Sequence, residues 1–230
     1  MIEDVQRAVE AAMAAVIEYL KADAAPTSER CHAIIDETLE SFGCESPEGH
    51  IVAGGLQSAA PHEAGSGPLR FGEPIVIDIY PCSKATGYFA DMSRTVCIGP
   101  PPERLQTMYD AVLTAQELAI GMVKPGAKCQ TIQDAVEKYF VDAGFITGGE
   151  GDKTEGFPFA EGFVHGVGHG VGRAIHESPR IGRGSKDILA EGDVITIEPG
   201  LYYKTIGGVR IEDMVLITRD GCKNLTNFSK

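Results

Sequence analysis

One stretch of this sequence occurs twice, and the repeat restricts the fold more than any other feature. Gly72-Glu-Pro-Ile-Val-Ile-Asp78 returns as Gly192-Asp-Val-Ile-Thr-Ile-Glu198 at an offset of 120 residues, and Asp91-Met92 returns as Glu212-Asp213 at an offset of 121. The surroundings repeat as well. Val5, Val9, Met13, Val16 and Leu20 give residues 4–21 the spacing of an amphipathic helix. Pro26-Thr27-Ser28 then supplies a break and a cap, and Ile34, Ile35, Leu39 and Phe42 mark a second helix ending at Gly43. Ile51–Ala53 reads as a strand, 54–70 as a long loop, and Pro74–Tyr80 with Gly87–Ile98 as a hairpin. The order then restarts. Leu105, Met108, Val112, Ala115, Ala119 and Met122 predict a helix stopped by Pro125-Gly126, and Ile132, Ala135, Val136 and Tyr139 predict another ending at Gly144. Segment 146–162, Gly-rich and acidic, reads as a mobile loop, and Asp193–Ile197 with Val209–Ile217 as two more strands. A seven-residue match can arise by chance, but both halves also put a carboxylate at the equivalent place in both strands. The fold class expected is α+β, built from two pseudo-symmetric helix–helix–hairpin halves.

Composition narrows the function. Against 33 Asp and Glu stand only 20 Lys and Arg, a formal charge of −13, which argues against nucleic-acid and anionic-membrane surfaces, both of which need a basic patch. The six cysteines form no CxxC pair and read as free thiols in a reducing compartment. The N-terminus lacks a signal pattern, and the apolar stretch around Ala11–Ile17 is too short to span a bilayer. A soluble cytoplasmic protein is expected.

Asp78 interrupts a run of isoleucines and valine, and Glu198 closes another. An unpaired buried carboxylate costs several kcal/mol or protonates, so something cationic must face them. The partner strands supply Asp91 and Glu212; by strand alternation Phe89, Asp91 and Ser93 share a face, as do Arg210, Glu212 and Met214. Paired hairpins would bring all four acids to one spot, where Arg210 alone cannot relieve their repulsion and two divalent cations would. On pattern alone, acids on solvated strand ends that never meet remain the competing reading.

Residues 165–177 read HGVGHGVGRAIHE. HxxxH at i,i+4 suggests a helical metal pair, but the four glycines would cost a helix about 4 kcal/mol relative to alanine. In an extended chain His165 and His169 stand roughly 13 Å apart, so separate roles are expected; a Gly-rich loop with incidental histidines is the alternative. No GxSxG, Walker, HExxH or GxGxxG motif occurs.

Asp78, Asp91 in GYFADMSRT, His169 in GHG, Glu198 in TIEPG and Glu212 in GGVRIED resemble, in order, the five metal ligands of the pita-bread (creatinase/aminopeptidase-like) metallopeptidases, which include methionine aminopeptidase, Xaa-Pro aminopeptidase and Xaa-Pro dipeptidase. HGVGHGVGRAIHESP, Arg210, Tyr202 in EPGLY and His62 in Ala60-Pro61-His62 resemble the proline-specific branch. The loop between Asp78 and Asp91 is two residues longer than the commonest family spacing. The resemblance implies a pita-bread fold with a curved antiparallel sheet. It also implies a single catalytic domain over residues 1–230, without the N-terminal domain usual in the proline-specific enzymes.

By the same resemblance, Asp78 binds one ion, His169 and Glu198 the other, and Asp91 and Glu212 bridge. Glu198 also moves a proton, His176 stabilises the oxyanion, and His62, His165, Tyr202 and Arg210 position substrate. One histidine among oxygen ligands suits Mn²⁺ or Co²⁺, with Zn²⁺ as a third candidate. Two such ions would bring the formal −13 to −9. The implied activity is dinuclear metal-dependent hydrolysis of the bond before proline, at peptide N-termini or in Xaa-Pro dipeptides. The partner is then a peptide, and a homodimer the expected assembly. A methionine aminopeptidase-like activity and a non-catalytic peptide-binding module are the rivals; the second normally loses ligands that are all present here.

Overall fold

The computed structural model describes residues 1–147 and 161–230; most of the 146–162 segment expected as a loop lies outside the described residues. The first half runs α1 (Ile2–Ala22), α2 (Ser28–Ser41), β1 (Cys44–Glu45), β2 (Ile51–Gly54), a 3₁₀ turn (Gly55–Ala59), β3 (Pro74–Ile79), β4 (Cys82–Ser83) and β5 (Met92–Cys97). The second runs α3 (Glu103–Met122), α4 (Cys129–Asp142), β6 (Gly168–Gly170), β7 (Glu177–Ile181), β8 (Val194–Ile197), β9 (Gly200–Tyr203), β10 (Gly207–Arg210), β11 (Asp213–Thr218) and β12 (Gly221–Asn224). The fold is α+β, and every pairing between these strands is antiparallel.

Local chemistry accounts for the helices. Val5, Val9, Met13, Val16 and Leu20 bury one face of α1. α2 opens on Thr27, whose side chain accepts a hydrogen bond from Arg30 N at 3.3 Å, and the chain leaves it through Gly43 at φ +69°. The repeat itself has a backbone cause at its first residue. Gly72 and Gly192 turn the chain into β3 and β8 with φ of +76° and +96°, where an L side chain is strained.

Each half owns a hydrophobic core. One gathers α1, α2 and the β2-β3-β5 sheet around Met13, Ile35 and Ile77, and the other gathers α3 and α4 against β8–β11 around Val112, Phe140 and Ile197. The second half's sheet has the order β12-β11-β8-β6-β7. No helix among the described residues is long and apolar enough to cross a membrane, and all six cysteines are free thiols.

The hairpins differ from expectation in two ways. Asp91 and Glu212 stand immediately before β5 and β11 rather than within strands, because the backbone of residues 89–90 bonds elsewhere: Phe89 N to the Gly172 carbonyl and Ala90 N to that of Pro81. The 209–217 strand is likewise broken at Ile211 and Glu212. The halves also differ in register. Ile77 opposes Arg94, whereas its equivalent Ile197 opposes Asp213 and not Val215. A two-residue slip keeps every side chain on its own face, so the carboxylates survive the broken symmetry.

Candidate metal centre

Asp78 is a candidate ligand inside a strand paired on both sides. It lies opposite Ile51 on β2 and Ser93 on β5, and directly opposed residues share a face. Glu198 follows the end of β8. His169 is the middle of β6, held where it is by its glycines: a Cβ on Gly168 would lie 2.0 Å from the Thr196 carbonyl oxygen, and one on Gly170 2.3 Å from that of Ser178. The stretch is extended, as its four glycines predict.

These elements line a cleft of about 1170 Å³ whose walls include Asp78, Asp91, His169, Glu198, Glu212, His62, His165, His176 and Arg210. Asp91, His169 and Glu212 present ligand atoms within 4.8 Å of one another. Glu198 joins them through its Oε1, 3.3 Å from His169 Nε2, with Asp91 Oδ2 3.8 Å from the same nitrogen. Asp78 stands outside that trio, and its Oδ2 accepts from Arg210 Nη2 at 2.6 Å. His176 packs edge-on against His169, ring centres 4.3 Å apart.

The donor set fits a divalent cation. His169 Nδ1 is 3.1 Å from the Gly170 carbonyl, which can only accept, so Nδ1 carries the proton and Nε2 offers its lone pair to the carboxylates. Burial, with His176 beside it, pushes the His169 pKa down to about 4, which keeps the ring neutral. The Nε2 lone pair therefore faces the carboxyl oxygens of Asp91 and Glu198. Of the seven buried side-chain polar atoms that lack a partner among the described residues, three are Asp78 Oδ1, Asp91 Oδ1 and Glu212 Oε1. Buried oxygens are rarely left so. Burial pushes Asp91, Glu198 and Glu212 upward, Glu198 to about 8, and neighbouring carboxylates push the same way.

Arg210 organises the other side. Its Nε donates to Ser93 Oγ (2.9 Å), Nη1 to Tyr202 Oη (2.9 Å) and to the Pro61 carbonyl (3.2 Å). Ser93 Oγ donates in turn to Glu212 Oε2 (2.7 Å). His165 Nδ1 faces the Gly166 carbonyl at 2.8 Å, so its Nε2 accepts from the Tyr202 hydroxyl at 2.9 Å. Tyr202 is 1% exposed; it stands behind His165 and does not line the cleft.

Ser93 and Thr196 are contributors that sequence reasoning passed over. Thr196 Oγ1 accepts from His169 N (3.1 Å) and donates to Glu198 Oε1 (3.4 Å). The available signal was a hydroxyl two residues from a carboxylate, Ser93 from Asp91 and Thr196 from Glu198.

Buried acids and one neutral imidazole, between two helix-backed antiparallel sheets and short of a donor, define a candidate site for divalent cations. Comparison with known proteins agrees: the model of metallopeptidase family M24 matches residues 1–219, and the chain belongs to that family. Over its whole length it is 36% identical to an Xaa-Pro dipeptidase of Pyrococcus furiosus and 35% identical to one of Pyrococcus horikoshii, covering 62% of each. The solved prolidase of Pyrococcus horikoshii OT3 superposes with a TM-score of 0.88 at 33% identity, over 100% of this chain and 61% of that one. The Pyrococcus furiosus prolidase gives 0.87 at 34%, over 100% and 63%. The chain thus spans a little over three fifths of the length of these relatives.

Proposed function

We propose that the chain is the catalytic part of a proline-specific metallopeptidase, hydrolysing the bond before proline in Xaa-Pro dipeptides or at peptide N-termini. The observation that carries this reading is the convergence of three partnerless buried carboxylate oxygens with the unprotonated His169 Nε2 in one cleft. Two divalent ions would be held by Asp78 on one side, His169 and Glu198 on the other, with Asp91 and Glu212 between, and Mn²⁺ or Co²⁺ suits the oxygen-rich set. Bound there, they would supply Lewis acidity toward the scissile carbonyl and lower the pKa of water.

The chain's own groups divide the remaining work. Glu198, on the cleft wall beside His169, can take up a proton and pass it to the leaving nitrogen. His176, exposed on the cleft wall beside His169, can donate a hydrogen bond to the carbonyl oxygen as charge develops. His62 borders the cleft next to Pro61, whose carbonyl Arg210 fixes. Both nitrogens of His165 are engaged, so it offers substrate only its ring face and C–H edge, a match for an apolar pyrrolidine ring. Tyr202 and Arg210 act by holding that ring in place.

The test is to incubate Mn²⁺- or Co²⁺-loaded protein with Xaa-Pro dipeptides, Xaa-Pro-Xaa tripeptides and Met-Ala peptides. Proline peptides should be cleaved; release of methionine with proline peptides untouched would overturn the assignment.

A further inference from the structure

Arg94 and Asp213 form a second buried charge cluster on the face of β5 opposite Ser93, away from the cleft. Arg94 is 2% exposed and Asp213 0%. All five N–H donors of the guanidinium are used. Nη1 donates to the carbonyls of Ser93 (2.9 Å) and Glu212 (2.7 Å), Nη2 to Asp213 Oδ1 (2.8 Å) and the Phe228 carbonyl (3.0 Å), and Nε to the Ser229 carbonyl (2.9 Å). The other oxygen of Asp213 accepts from Asn224 Nδ2 (2.8 Å) and lies 3.0 Å from Lys230 Nζ.

A cation needed only to neutralise Asp213 would require one contact. This one grips four carbonyls on three separate segments, two of them belonging to residues that shape the site from opposite halves. Glu212 N also donates to the Ser93 carbonyl at 3.1 Å, and Ser93 Oγ donates to Glu212 Oε2. The spacing between the two peptides therefore sets where the Glu212 carboxylate points. We propose that Arg94 is a positioning residue for Glu212, and that residues 228–230 complete its grip from outside the paired strands. The inference rests on the metal-site reading above.

Lysine can keep the charge opposite Asp213 but cannot reproduce a rigid five-donor fork. The experiment titrates Mn²⁺ into metal-stripped protein by calorimetry for the parent, Arg94→Lys and a deletion of residues 228–230, with circular dichroism to establish folding. Each variant should bind Mn²⁺ about 10- to 100-fold more weakly, the usual loss when a partner of a metal ligand is removed. The deletion decides the matter if Arg94→Lys does not fold. In a Glu212→Gln background, where residual binding rests on the other ligands, Arg94→Lys should add no further loss, because its route runs through that carboxylate. A merely structural role predicts equal losses in both backgrounds, and that result, or parental affinity in a folded variant, overturns the proposal. A parent that binds no Mn²⁺ overturns the metal reading and this proposal with it.

Discussion

Arg210 links Asp78 to Ser93 and Tyr202, and its burial makes its loss expensive. It is 3% exposed and touches the Asp78 carboxylate, two hydroxyls and a carbonyl. Breaking a buried pair by removing one partner costs about 3–5 kcal/mol. Arg210→Met should therefore destabilise the metal-free protein by that order in urea unfolding. Arg210→Lys should recover part of the loss, because an ammonium can face Asp78 but cannot also reach Ser93 and Tyr202; a lysine variant as stable as the parent would contradict this account. His165 tests the same corner by pH. Burial, with Arg210 next in effect, pushes its pKa down to about 3, whereas the unfolded value is near 6.5. Between those values the unfolded chain binds a proton that the folded chain refuses, so stability is greatest above 6.5 and falls as pH drops toward 3. Replacing His165 with Asn should flatten the acid-side decline of Tm by about one proton's worth of slope, and an unchanged slope would show that the imidazole titrates freely.

At the scale of elements, β6 tolerates little change. Gly168 and Gly192 distinguish two ways a glycine is required. A Cβ at 168 meets the backbone oxygen of Thr196 at 2.0 Å, while a Cβ at 192 meets nothing within 4 Å and suffers only from φ +96°. Gly168→Ala should force β6 off β8, moving His169 and lowering Mn²⁺ affinity along with stability. Gly192→Ala should cost about 1–3 kcal/mol of strain and leave Mn²⁺ affinity at the parental level. Equal affinity losses in the two variants would refute the distinction. These glycines also show what the sequence made legible. Four glycines in eight residues exclude a helix, and apolar spacing located α1 and α3 to within a few residues, because burial of one face is written directly in period. The strand ends were not legible: where Asp91 leaves β5 depends on which distant carbonyls its neighbours find, those of Gly172 and Pro81. The two-residue register slip left no trace either, since it preserves every face. For the site, the acids stood out as charge in apolar runs and His169 by its glycines, whereas Arg94, Ser93 and Thr196 draw most of their meaning from partners more than 20 residues away.

For the whole molecule, the two cores and the buried acids of the cleft oppose each other in the metal-free state. Asp78 and Asp91 belong to the first half, and His169, Glu198 and Glu212 to the second, so their repulsion acts across the seam between the halves. Burial above all, and neighbouring carboxylates with it, pushes Asp91, Glu198 and Glu212 upward. Neutralising one acid should then have opposite effects in the two states. Asp91→Asn removes a buried acid whose ionisation burial and Glu212 oppose and whose Oδ1 lacks a partner among the described residues, so the metal-stripped variant should melt higher than the metal-stripped parent. With Mn²⁺ the order should reverse. Ligand at about 100 times its Kd stabilises a protein by about 2.7 kcal/mol, and the variant, missing one of the proposed ligands, should gain little of this. Hydrogen exchange locates the effect: Mn²⁺ should slow exchange in the parent around residues 91–93, 168–170 and 211–213, while the outer faces of α1 and α4 stay unchanged. Protection spread evenly over both helical layers would mean that the ions tighten the fold as a whole, and a metal-stripped Asp91→Asn protein melting below the parent would mean that the acids are not in conflict. The predicted pattern, a seam held apart by its own charges and closed by cations, requires both observations together.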